Sequence, residues 1–95
     1  MFILTLKYKK SIDDVEKNLP AHIKYLETYY NSGNFIASGR QNPRTGGIIL
    51  CNAVNRDEVE SIIHNDPFYS YGIADYSIIE FIPSKYADGF EKFIK

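Results

Sequence analysis

Four short apolar segments and two amphipathic segments alternate along the chain, and their order restricts the folds that it can adopt. The apolar segments have the length and the β-branched content of strands, whereas the amphipathic segments have helical periodicity. In chain order the segments read strand, helix, strand, strand, helix, strand. This β-α-β-β-α-β order predicts an α+β ferredoxin-like plait, in which two helices lie on one face of a four-stranded antiparallel sheet.

The predicted strands imply a surface that the helices cannot cover. They comprise residues 2–8, 35–38, 48–51 and 74–83, and the first, third and fourth carry apolar side chains on both faces. Two helices can cover only one face of a sheet, so the other face needs a partner. A second copy of the same sheet is the simplest partner, and the pattern therefore predicts a homodimer.

Capping residues and a proline define the predicted helices. Ser11 is expected to cap a short helical piece, and Pro20 is expected to begin a new or kinked helix that runs to about Ser32. Asn55 is expected to cap the second helix, which runs to about His64. In the tail, residues 88–95 are expected to form one or two amphipathic turns.

Composition narrows the class of protein and of partner. The 95 residues are expected to form one domain, residues 1–95, with a net charge of −1. No basic stripe is present, and the third strand lacks the aromatic residues with which RNA recognition motifs stack bases, so no nucleic acid is expected. No segment reaches membrane length, and the single cysteine fits a reducing compartment. We therefore expect a cytoplasmic protein without a membrane partner.

Two side chains that lie far apart in the sequence are candidates for acid–base chemistry. His22 lies near the centre of the apolar stripe of the first helix, where a histidine can be a catalyst or an ordinary core residue. Asp66 follows the second helix and precedes Pro67, where its carboxylate can instead cap local backbone N–H groups. Because both helices pack on one face of the sheet, the two side chains can meet. A carboxylate that orients an imidazole is the smallest unit capable of such chemistry.

Other polar groups are expected to have simpler roles. His64 falls on the solvent side of its helix and Cys51 lies in an apolar strand, so no metal site is expected. Arg40 and Arg44 lie in a turn-rich loop, where they could anchor an acidic ligand or be merely solvated. Most tyrosines are expected in the core or in an interface, among them Tyr25, Tyr29, Tyr30, Tyr69, Tyr71 and Tyr76.

Four short motifs also occur together in one known family. They are PAHIKYL at residues 20–26, GNFIASG at 33–39, GGI at 46–48 and NDPF at 65–68. In these motifs the chain resembles the YciI-like (YCII-related) domain family. The resemblance implies a ferredoxin-like dimeric α/β barrel and an active site of one histidine and one aspartate, here His22 and Asp66. The chain departs from the family pattern at Arg40, where a proline commonly follows the glycine.

The function expected from these features is acid–base catalysis on a small organic molecule by His22 and Asp66. Isomerisation, lactone chemistry and elimination beside a carbonyl all fit such a pair, and no cofactor is expected because no cofactor motif is present. A non-catalytic module that binds a small molecule is the alternative, and a cofactor-independent monooxygenase is a further one. The expected ligand pocket comprises Ser38, Gly39, Arg40, Pro67 and Phe68.

Overall fold

The computed structural model describes residues 1–94 and contains a four-stranded sheet in which all neighbouring strands are antiparallel. The strands lie in the order β2-β3-β1-β4. Their bounds are β1 (Phe2–Tyr8), β2 (Phe35–Arg40), β3 (Gly46–Cys51) and β4 (Ala74–Glu80). This arrangement confirms the predicted ferredoxin-like plait.

The helices cover one face of this sheet. They are α1 (Ile12–Asn31), α2 (Arg56–His64) and the short α3 (Pro67–Ser70). On β1 the alternate side chains of Phe2, Leu4 and Leu6 are buried, whereas the residues between them remain partly accessible. The buried set forms one core with apolar side chains of the helices, namely Val15, Tyr25, Val59, Ile62, Ile63 and Phe68.

The first helix is continuous, so of the two alternatives predicted at Pro20 the new helix is wrong. Ser11 caps this helix through its side chain, as predicted, but the helix then passes through the proline without ending. Proline removes one backbone hydrogen bond, and here Pro20 lies on the exposed side of the helix. The buried side continues on both sides of it, from Val15 to Tyr25, and this packing holds the two halves together.

The second helix begins as predicted and is followed by a helix that the sequence did not predict. The side chain of Asn55 accepts a hydrogen bond from the backbone N–H of Glu58 at 3.0 Å. Two residues after α2, Asp66 caps α3, and Pro67 occupies the first helical position, which a proline suits because its missing N–H is not needed there. The sequence had indicated only a turn in this segment.

The strand ends differ from prediction because pairing between strands decides them. β2 extends through Arg40 and β3 begins at Gly46, two residues beyond the predicted limits in each case. A side chain at Gly46 would place Cβ 1.7 Å from the backbone oxygen of Leu6, so only glycine permits this close approach to β1. β4 stops at Glu80, which pairs with Phe2 of β1, rather than at residue 83.

The outer face of the sheet, opposite the helices, carries exposed apolar side chains. Ile3 of β1 stands in register with Leu50 of β3 and Ile79 of β4. Ile79 is 54% exposed and Ile48 is 44% exposed. These residues form a contiguous apolar surface in the middle of the outer face.

Beyond β4 the described chain ends in a short 3-10 helix, Phe90–Phe93. It lies within the segment predicted to form an amphipathic turn, whose last residue, Lys95, is outside the described residues. Within residues 1–94 no helix combines the length and the hydropathy that crossing a membrane requires.

Candidate active site

The Asp66 carboxylate is held at the junction of α2 and α3. Its backbone N–H donates to the Ile63 carbonyl at 3.0 Å, which continues the last turn of α2, and its Oδ1 accepts the backbone N–H of Phe68 at 2.9 Å. The ring of Pro67 restricts the backbone φ angle between these two hydrogen bonds. The side chain is fully buried, with 0% exposure, and these local bonds help to fix the direction of the carboxylate.

His22 meets this carboxylate across 44 residues of sequence. Its Nδ1 lies 2.8 Å from Asp66 Oδ1, and the residue is only 8% exposed. Because Oδ1 is the acceptor, Nδ1 carries the proton and donates it to this bond. The other ring nitrogen, Nε2, has no hydrogen-bond partner within residues 1–94. It is not fully buried either, so part of its surface is accessible. Nε2 is therefore the ring atom that a ligand can reach.

The ring of Phe68 fixes the plane of the imidazole. The two ring centroids are 4.0 Å apart and the planes differ by 3°, which is a stacked arrangement. Phe68 is itself buried and belongs to the helix that Asp66 caps. The same short helix therefore supplies both the carboxylate that orients Nδ1 and the apolar surface that restricts rotation of the ring.

Tyr76 is a third member of the site that sequence reasoning missed. Its hydroxyl donates to Asp66 Oδ2, and a neighbouring tyrosine, Tyr25, donates to the carbonyl of Ile62 at 2.9 Å. Burial, and then the nearby Asp66 carboxylate, raise the pKa of both tyrosine hydroxyls. Tyr76 therefore stays protonated and remains a donor to Asp66. The sequence feature that could have indicated this role is the position of Tyr76 in the alternating pattern of β4, which directs its side chain inward.

A cavity of about 240 Å³ opens in front of the His22 ring. It lies between α1 and the helix-facing side of β1, β2 and β3. Four of the five predicted pocket residues line it, namely Ser38, Gly39, Arg40 and Phe68, together with nine others: Leu6, Tyr8, Leu19, His22, Ile23, Leu26, Gly47, Ile48 and Ile49. Pro67 does not line it and instead borders a separate surface depression.

The remaining candidate groups lie outside this cavity. Arg44 makes an ion pair with Glu16 at 2.9 Å, and His64 is exposed, with its Nδ1 2.6 Å from the carbonyl oxygen of Glu60. Cys51 is buried in the core cluster. Among residues 1–94, no three histidine, cysteine, aspartate or glutamate side chains are grouped so that they could hold a metal ion.

The raised tyrosine pKa values predict that folding stability falls at alkaline pH. A hydroxyl whose pKa is raised on folding contributes stability that is present below its unfolded pKa of about 10 and lost as pH rises above it. Each such tyrosine contributes a slope of about 1.4 kcal/mol per pH unit. Tyr76→Phe should remove one such contribution, which urea unfolding between about pH 8 and 11 would measure. Tyr71→Phe, which removes the hydroxyl of an exposed tyrosine, is the matched control. Equal slopes in wild type and Tyr76→Phe would contradict the assignment.

Comparison with known proteins places the chain in a family. A family model described as YCII-related domain matches residues 1–82. The chain belongs to the YCII-related domain family. Its fold is similar to that of 5-chloro-2-hydroxyhydroquinone dehydrochlorinase (TftG) from Burkholderia phenoliruptrix, solved in complex with 2,5-dihydroxybenzoquinone. The TM-score is 0.70 at 22% identity, over 86% of this chain and 94% of that one. No curated protein matches this YCII-related sequence significantly.

Proposed function

We propose that this YCII-related protein is a cytoplasmic, cofactor-free enzyme that performs acid–base chemistry on a small organic molecule. The observation that carries the proposal is the buried contact of 2.8 Å between His22 Nδ1 and Asp66 Oδ1, made by a ring that lines a cavity. A histidine in this arrangement presents Nε2 as general base and then, once protonated, as general acid. Asp66 fixes the tautomer and stabilises the imidazolium.

The chemistry that fits this arrangement begins with proton transfer from carbon. Nε2 takes a proton from a carbon beside a carbonyl group, and the electron pair of that C–H bond forms a double bond. In an elimination, the leaving group departs with its own bonding pair. In an isomerisation, the imidazolium returns the proton to another carbon. Both routes balance without a redox partner, and both need one group that accepts and donates a proton.

Elimination is the reaction that the comparison favours. The structural neighbour TftG is named as a dehydrochlorinase, and a dehydrochlorination is the loss of a proton and a chloride ion. The bound molecule named for that protein is a small hydroxylated quinone. We therefore place chlorinated hydroquinones first among the compounds to be tested on this chain.

Proton exchange provides the test of this function. The protein is incubated in deuterium oxide with cyclic ketones, lactones and chlorinated hydroquinones. Proton NMR then follows deuterium uptake beside the carbonyl, and a chloride assay follows elimination. We expect catalysed exchange or chloride release. Ligand binding without either signal would favour the non-catalytic binding module and overturn the proposal, as would turnover that consumes dioxygen.

We further propose that the outer face of the sheet is covered by a second copy of the chain. The apolar surface formed by Ile3, Ile48, Leu50 and Ile79 lies at the centre of that face, opposite the helices. Two such faces can bury each other in a symmetric contact. This closes the two sheets into the barrel that the family resemblance implies.

If the protein is a dimer, its mass in solution should be twice the chain mass of 10.9 kDa. Light scattering at micromolar concentration should report that mass for the wild type. Ile79→Lys places a charge in the middle of the contact and should give a monomer or an aggregate. Val54→Lys, at an exposed apolar residue outside the sheet, is the matched control and should remain dimeric. A folded wild-type monomer under these conditions would contradict the proposal.

A further inference from the structure

The cavity in front of His22 is apolar along its walls and positively charged at one side. Among the described residues that line it, Arg40 alone carries a permanent charge, and no aspartate or glutamate contributes to the lining. The walls are mostly aliphatic, with side chains from α1 facing side chains from β1 and β3: Leu6, Leu19, Ile23, Leu26 and Ile49. A ligand that fills this space therefore meets an apolar surface and one cation.

The strand register directs Arg40 to the helix-facing side of the sheet. Ser38, two residues earlier on β2, bonds through its hydroxyl to the Tyr30 hydroxyl of α1 at 2.7 Å, so this side chain faces the helices. Residues two apart on a strand share a face, and Arg40 therefore points the same way. Its cross-strand neighbour is Gly47, which stands in turn beside Leu6. Because glycine contributes no side chain, the floor of the cavity is open between the arginine and β1.

The Arg40 guanidinium is also uncommitted. Within residues 1–94 it makes no side-chain hydrogen bond, ion pair or cation–π contact. The other two arginines each have a carboxylate partner, Glu16 for Arg44 and Glu60 for Arg56. An arginine at the edge of an apolar cavity, with five donors unused by the protein, is suited to bind a carboxylate in a bidentate manner.

We infer that the cavity takes small organic anions, with the apolar body of the ligand between α1 and the sheet and its anionic group on Arg40. This inference rests on the proposed function for the role of His22 and adds the class of substrate. At liquid density the cavity would hold about eight water molecules, so a single ring with a carboxylate is of the right size. Holding the anionic end on Arg40 leaves the body of the molecule to face the histidine.

Two probes of equal size separate charge from shape. Benzoate and benzamide share the ring and differ in charge, and amide NMR titration at low salt measures the affinity of each. We expect benzoate to bind the wild type more tightly and to shift the amides of Gly39 and Gly47. Arg40→Met should weaken benzoate binding about tenfold and change benzamide binding less than about twofold. Arg40→Lys keeps the charge without the planar fork, so its affinity for benzoate should lie between those of the wild type and Arg40→Met.

The control is Arg56→Met, which removes the same charge from the surface of α2 and should leave both affinities unchanged. Equal benzoate affinity in wild type and Arg40→Met would overturn the inference. So would equal affinity of the wild type for benzoate and benzamide, shifts confined to residues outside the cavity, or no benzoate binding up to its solubility limit. Catalysis is judged separately. A protein that discriminates benzoate from benzamide but shows no turnover would contradict the proposed enzymatic function and still support the inferred class of ligand.

Discussion

Asp66→Ala is expected to lower the free energy of unfolding by about 3–5 kcal/mol. The carboxylate is completely buried and accepts three hydrogen bonds, from His22 Nδ1, the Phe68 N–H and the Tyr76 hydroxyl. Alanine leaves all three donors in the interior without an acceptor, and each buried donor without a partner costs about 1–3 kcal/mol before the structure relaxes. The cap of α3 is lost in the same substitution.

Urea unfolding of matched variants would measure this cost. Asp75→Ala is the control, because Asp75 is an aspartate on β4 that pairs with Lys9 at 3.3 Å, but its side chain is 69% exposed. An exposed pair of this kind should change stability by no more than about 0.5 kcal/mol. Asp66→Asn keeps the shape and one acceptor oxygen and should lie between the two. Similar losses in the free energy of unfolding for Asp66→Ala and Asp75→Ala would show that leaving the three donors without the carboxylate does not cost stability.

The order of elements was predictable because periodicity is a local property of the sequence. The short apolar run of residues 2–8 specifies a strand wherever that strand lies in the sheet. The strand ends were not predictable in the same way. Gly39 and Gly46 look like interruptions in the sequence, but both belong to strands, because Gly39 pairs with Ile48 of β3 and Gly46 pairs with Lys7 of β1.

A similar competition explains the error at Pro20. Local preference places the start of a helix there, since proline suits the first turn and disrupts the interior. The apolar stripe runs across the proline, however, and burial of Val15 on one side and Tyr25 on the other stabilises a single helix. Tertiary packing outweighs one missing hydrogen bond on the exposed side, and that balance depends on contacts that the sequence does not display.

For the site, topology was sufficient to bring His22 and Asp66 together but not to complete their surroundings. Two roles were left open for Asp66, a local cap and a partner for the histidine, and its Oδ1 makes both contacts at once. Tyr76 was missed because an inward tyrosine on a strand looks like any other core aromatic. Only its pairing with Leu6, beside the end of α2, brings the hydroxyl to Asp66.

His22→Asn is expected to lower kcat for the reaction found in the proton-exchange assay by about 10²–10⁴-fold. Asparagine places an amide nitrogen near the position of Nδ1, so the hydrogen bond to Asp66 can be retained. It has no atom at the position of Nε2, which is the atom assigned to proton transfer. The loss should therefore appear mainly in kcat, with a smaller change in KM.

His64→Asn is the matched control for this variant. His64 carries the same ring on the exposed side of α2 and takes no part in lining the cavity. Both kcat and the free energy of unfolding should stay close to the wild-type values. An active His22→Asn variant would mean that the imidazole does not move the proton, and the cavity would then be better explained as a binding site.

Combining the substitutions at the two positions tests whether the pair acts as a unit. If Asp66 acts on the reaction only by orienting His22 and stabilising its imidazolium, its effect on rate requires the imidazole. Adding Asp66→Asn to His22→Asn should then lower kcat little further, although Asp66→Asn alone lowers it substantially. The kinetic assay on the two single variants and the double variant measures this directly. Losses that multiply would instead mean that the carboxylate acts on the substrate independently, in contradiction to its contact with Nδ1 and its complete burial.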